Sequence, residues 1–159
     1  MEQNGKYTPQ SLRVAIFIQA FLIIAVFAYF SILQSIPPNV IISMDGNYRD
    51  TITVILSVFG MITFVTGYFS PRLLRPRRSA VRFNLPDTQI CFFIQLVQAG
   101  SFEAIAVYGL IMGILNISLG IVLVFFAISI IGLFLTFPTR AKWDKMMTKF
   151  KPPSGSQIE

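Results

Sequence analysis

The sequence predicts an all-α integral membrane protein: a bundle of four transmembrane helices, followed by a C-terminal amphipathic helix lying in the interface. Three observations carry this expectation. The 159 residues are 54% hydrophobic and only 13% charged, a composition of multi-pass membrane proteins rather than of soluble domains. Four apolar runs are long enough to cross about 30 Å of hydrocarbon at about 1.5 Å per helical residue. The thirteen Lys and Arg residues are gathered in the segments that flank those runs. A single four-span domain over 1–151 is expected, with 152–159, rich in Pro, Ser and Gly, as a disordered tail.

The first span is expected over 12–36, interrupted by Gln19 and Gln34. It is too long for a signal-peptide core and lacks an Ala-x-Ala cleavage pattern, so it reads as retained. Pro37 and Pro38 end it, because proline lacks the amide a helix needs and biases its predecessor away from helix. A loop through the turn signal Asp45-Gly46-Asn47 follows, its apolar start Val40 to Met44 suited to the membrane surface. Asp50 or Thr51 can cap the second span, expected over 51–70 and stopped by Pro71. Gly60 and Gly67 share one face there and allow a close helix approach.

An arginine-rich segment then carries Arg72, Arg75, Arg77, Arg78 and Arg82. Headgroup binding and topology anchoring are its simplest role, with docking of a soluble partner as the alternative. Asp87 suits the N-cap of the third span, expected over 88–115. The fourth follows over 118–137, so close that a tight antiparallel hairpin is implied. Gly109 and Gly113 form a G-x-x-x-G, read as a helix-packing motif. After Pro138, Trp143, Met146, Met147 and Phe150 recur at helical spacing among Arg140, Lys142, Lys145, Lys149 and Lys151. This pattern predicts the interfacial helix over 139–151, with Lys142, Trp143, Lys145 and Lys149 as headgroup anchors.

With four spans, twelve of the thirteen basic residues fall on one side. Both termini and the arginine-rich loop are therefore expected in the cytoplasm, and the protein in the inner (plasma) membrane. The net charge of +6 is explained by anionic lipid headgroups, and no nucleic-acid partner is implied.

With no His and a single Cys91, the chain cannot build a His or Cys metal site, a haem ligand set, a disulfide framework or a Cys/His catalytic pair. No cofactor and no metal are expected, and Cys91 reads as a buried, inert thiol. For enzyme chemistry only Glu103, Gln19, Gln95, Gln98 and Tyr108 lie at membrane depth. The alternative of acid chemistry on headgroups by Asp45, Arg49 and Asp50 has no spacing to recommend it.

One residue stands apart. Glu103 is the sole charge between Gln89 and Gly113 and falls near mid-membrane, where an ionisable side chain costs roughly 2.5 to 3.5 kcal/mol on insertion scales. Such a group faces a partner, a cavity or a proton. It is either a proton or cation site, or a carboxyl hydrogen-bonded to a neighbouring helix as packing glue, with Gln19 or a Ser or Thr as partner. On the helical wheel its neighbours are apolar and partly small (Leu96, Ala99, Ala106, Val107 and Leu110), while Gln98, Ser101, Tyr108 and Asn116 lie opposite. Gln19 and Gln95 are the candidate supports of a site at Glu103.

The segment E-A-I-A-V-Y-G-L-I-M-G, within 101–113, resembles the carboxylate helix of the rotary ATPase proteolipids, the c subunits. That resemblance implies Glu103 as ion carrier. The halves of the chain also echo each other: Phe17-Ile18-Gln19 with Phe93-Ile94-Gln95, Ser70-Pro71-Arg72 with Pro138-Thr139-Arg140, and I-L-S-V-F-G-M-I-T with I-V-L-V-F-F-A-I-S. A duplicated two-helix hairpin is similar to the four-helix vacuolar-type proteolipids. Those carry the carboxylate on the second helix of a hairpin and a glycine-rich packing run, whereas here Glu103 is on the first and 51–70 lacks the run. Over its full length the chain resembles uncharacterised small four-helix bacterial inner-membrane proteins. The expected function is a non-enzymatic subunit or structural and interaction component of a membrane assembly, partnered by other membrane subunits or further copies of itself. The alternative is a proton- or cation-translocating, proteolipid-like protein.

Overall fold

The computed structural model describes residues 10–37, 45–73 and 87–150. These form five helices: α1 (Gln10–Ser35), α2 (Gly46–Leu73), α3 (Asp87–Ile114), α4 (Leu119–Leu135) and α5 (Arg140–Phe150). Arg75, Arg77, Arg78 and Arg82, the loop start at 40–44 and the tail at 152–159 lie outside the described residues. Three helices, α1, α2 and α3, are long and apolar enough to cross a membrane; a fourth joins them if α4 and α5, bent by 69°, count as one span. α4 falls short alone because its 17 residues rise only about 25 Å.

α2 departs from expectation at both ends. It begins five residues earlier, at Gly46, so Thr51 lies inside it and donates its hydroxyl to the Asn47 carbonyl at 2.8 Å. At the other end it runs through Pro71 instead of stopping there. Proline lacks an N–H, so the Gly67 carbonyl four residues earlier loses its helical donor. Two side chains replace it: Ser70 Oγ donates at 3.0 Å, and Gln98 Nε2 of α3 at 3.3 Å.

The α3–α4 turn is as tight as the sequence implied. Asn116 takes the left-handed conformation (φ 54°), which asparagine tolerates better than most residues. Its N–H donates to Gly113 O at 3.1 Å, and the Ile117 N–H to Met112 O at 3.0 Å. These are the paired bonds of a Schellman C-cap. Ile117 and Met112 accompany them as buried apolar residues of one cluster.

α3 is the hub, packing against α1, α2, α4 and α5, while α1 and α2 are not packed along each other. The expected pair of hairpins is therefore corrected: only the second is a packed hairpin. The reason lies in what each helix offers. Gly60 and Gly67 bring α2 against Phe125 of α4 and Ser101 of α3, and Gln19 ties α1 to α3 and α4. Register follows from the same contacts, with Gln19 beside Gln95, and Tyr29 beside Glu103. α1 and α3 thus run parallel, with α2 and α4 antiparallel to them.

The main core joins Val26, Phe102, Ile105, Met112, Phe125 and Leu133. Phe102 lies over Gly132, where any side chain would collide with its ring. Both glycines of the G-x-x-x-G make close contacts, but with different helices: Gly109 faces Phe125 and Phe126 of α4, and Gly113 faces Leu33 of α1. By contrast the outer faces of α1 and α2 expose large apolar side chains, including Phe17 at 76% and Met61 at 72%. A surface so apolar belongs against lipid or another protein rather than water.

A second, smaller cluster holds Leu12, Ala15, Cys91 and Trp143, with Met146 and Met147 against it. Here the structure corrects an expectation, since Trp143 is only 1% exposed. Trp143, Met146 and Met147 of α5 pack on Leu12 and Ala15 of α1 and Cys91 of α3, which turns the indole into the protein.

Candidate functional site

Helix ends create the first group of polar contacts. α4 ends at Leu135, ahead of Pro138, and while Gly132 O and Phe134 O still accept the Thr136 and Phe137 amides, Leu133 O and Leu135 O are left without a backbone donor. Four side chains donate at this helix end. Gln19 Nε2 donates to Leu133 O at 2.6 Å and to Thr136 Oγ1 at 3.0 Å. Gln95 Nε2 donates to Thr136 O at 2.7 Å and to Gln19 Oε1 at 2.6 Å. The Thr136 hydroxyl donates to Gly132 O at 2.8 Å, and Lys142 Nζ to Leu135 O at 2.7 Å. The amide orientation of Gln19 follows from its partners, since a carbonyl can only accept.

Gln19 and Gln95, 0% and 3% exposed, thus clamp α1, α3 and α4 at the point where α4 breaks. A buried break of this kind is tolerated only where the freed carbonyls find donors. Neither glutamine supports a site at Glu103, as the sequence had them do. Eight residues of α3, about 12 Å of rise, separate Gln95 from it. Lys142, expected as a headgroup anchor, caps α4. Lys145 and Arg72 are exposed, and the Arg72 guanidinium lies 5.5 Å from the centre of the Phe69 ring.

Glu103 forms the second group. Tyr29 Oη of α1 donates to Glu103 Oε1 at 2.6 Å, and both side chains are half-buried. The apolar surroundings expected on that face are present, with Ala99 and Ala106 buried beside it. Gln98 and Ser101 face α2 instead. Tyr29 is the residue that sequence reasoning missed. The echo between the two halves did not point to it: with Gln19 set beside Gln95, the same advance of eight residues reaches Phe27, and Tyr29 lies ten residues on from Gln19.

Chemically, the pair offers one carboxyl with one phenolic donor and no second acid or base. Among the described residues no three His, Cys, Asp or Glu side chains converge as metal ligands. An open hollow on the outer face of α1, lined by Phe17, Ile18, Ala20, Phe21 and Ile24, is wholly apolar and lies away from Glu103. No family model matches the chain, and neither a curated protein nor a solved structure matches it.

Proposed function

We propose that this chain is a small integral membrane protein of the inner membrane with four spans and both termini in the cytoplasm. It acts as a non-enzymatic subunit or structural component of a membrane assembly. The observation that carries this reading is the use of the interior amides. Gln19 and Gln95 donate to carbonyls at the end of α4, and Gln98 to the carbonyl freed at Pro71, so these three interior amides serve to join helices and satisfy backbone. The apolar outer faces of α1 and α2 supply the surface on which further membrane subunits, or further copies, would pack. Gathering of Arg13, Arg72, Arg140, Lys142 and Lys145 at one end of the bundle supports the cytoplasmic orientation of that end. Isolation of the full chain from its native membranes in a mild detergent tests the reading. Co-isolated membrane subunits or a stable multimer are the expected result, and a lone monomer overturns it.

A second reading keeps Glu103 as a proton or cation carrier, as in a proteolipid. One observation favours it: the carboxyl is only half-buried and is held by a single phenol rather than sealed in a network. Labelling by a hydrophobic carbodiimide in membranes tests it. An ion carrier gives labelling that disappears in Glu103→Gln and falls with added sodium or at high pH. Absence of labelling in the native chain removes this reading and leaves the structural one.

A further inference from the structure

The alternating directions of the helices bring the start of α1, the end of α2, the start of α3 and the α4–α5 junction to one end of the molecule. Arg13, Arg72, Arg140 and Lys145 are all exposed there, and among the described residues no ion pair neutralises them. At the opposite end Arg49 stands between Asp45 and Asp50 in sequence. Of the cations at the basic end, Lys142 is engaged by the Leu135 carbonyl.

α5 has the sequence of an amphipathic helix that inserts into a membrane surface, yet the described residues of its apolar face are already occupied. Trp143 is buried with Leu12, Ala15 and Cys91, and Met146 and Met147 pack against the same cluster. Among its described side chains, what α5 presents outward is charge and short polar groups, with Asp144 its one exposed acid. An interfacial helix binds through apolar area plus electrostatic attraction; among the described residues of α5 only the second is left.

We propose that this end of the bundle binds anionic phospholipid headgroups through charge alone, with α5 serving as a rigid basic platform rather than as an inserted anchor. Arg13 and Arg72 extend that platform from α1 and α2. The proposal rests on the membrane reading given above. The occupant is a lipid because the cations stand just beyond the apolar spans, where phosphate groups of the bilayer lie. Attraction of this kind is worth roughly fivefold per cation and is screened within about 8 Å at physiological salt.

The test uses the full chain in nanodiscs of equal parts phosphatidylglycerol and phosphatidylcholine, exchanged into detergent and analysed for retained lipid. The expected result is retention favouring phosphatidylglycerol by about tenfold or more. The preference should disappear at high salt, and in a chain carrying Arg13→Gln, Arg140→Gln and Lys145→Gln together. Lys142 is left intact so that the cap on α4 is not lost, and the salt series on the native chain decides the matter if the triple variant misfolds. Equal retention of the two lipids at low salt overturns the proposal and points to an acidic soluble partner. In a second arm, Trp143, the sole tryptophan, reports insertion through quenching by lipids brominated near the headgroup end of the chains. The proposal expects little quenching; strong quenching means that α5 inserts, and overturns it. Recovery of the chain in aqueous buffer without detergent would instead remove the membrane reading itself.

Discussion

Two polar clusters lie along the contact between α1 and α3, and they are built on opposite principles. At the Gln19–Gln95 level, two buried amides share their donors among carbonyls of the broken α4 and bond to each other. At the Glu103 level, a half-buried carboxyl has one partner, the hydroxyl of Tyr29. The first cluster sits where the fold would otherwise expose unpaired backbone and removes that defect. The second sits where α3 is continuous helix and the backbone needs nothing. A polar group that mends a backbone break needs no other explanation. One placed beside intact helix costs free energy without repairing anything, so Glu103 is the residue that a function would have to explain.

The largest effect that separates the two levels should come from Gln19→Leu. This change leaves the Leu133 carbonyl and one Gln95 N–H without good partners in a buried site, and should destabilise the protein by about 2 to 4 kcal/mol. Thermal unfolding in detergent, monitored by helical circular dichroism, measures it. Gln98→Leu is the internal control, since Gly67 O keeps its bond from Ser70; the loss should stay near about 0.5 to 1 kcal/mol. Equal losses at the two positions would contradict the repair role assigned to Gln19.

Much of this architecture was legible in the sequence because it rests on strong local signals. The apolar runs at α1 and α3 and the short step at Asn116 gave helices and a turn within a few residues of those observed. The basic clusters gave one charged end. What could not be read depends on tertiary contact. Pro71 was taken as a stop, yet a donor from α3 lets α2 continue past it. Trp143 and Lys142 were assigned to headgroups from the pattern of α5 alone, while packing on α1 and α3 turned the indole inward and the end of α4 captured the ammonium. The two glutamines were assigned to Glu103 because all three are polar in apolar runs, whereas helix register pairs each glutamine with the other. Spacing within one helix says which face a residue occupies, but the partner across the contact depends on how two helices are set along each other.

The smaller effect, and the one that sharpens the comparison, is expected from Tyr29→Phe. The ring and its packing are preserved while the donor to Glu103 Oε1 is removed, so stability should fall by only about 0.5 to 1.5 kcal/mol. A carboxyl released from its phenol beside a half-open face should also become more reactive toward a hydrophobic carbodiimide, so faster labelling than in the native chain is expected. The two readings of Glu103 diverge on what accompanies that change. If the pair is packing glue, Tyr29→Phe alters labelling and stability together, and sodium has no influence on either chain. If Glu103 carries an ion, sodium protects the native chain and protects Tyr29→Phe less, because the phenol is then part of the ion's surroundings. Sodium protection that is the same in both chains would detach Tyr29 from the site and leave Glu103 to act alone.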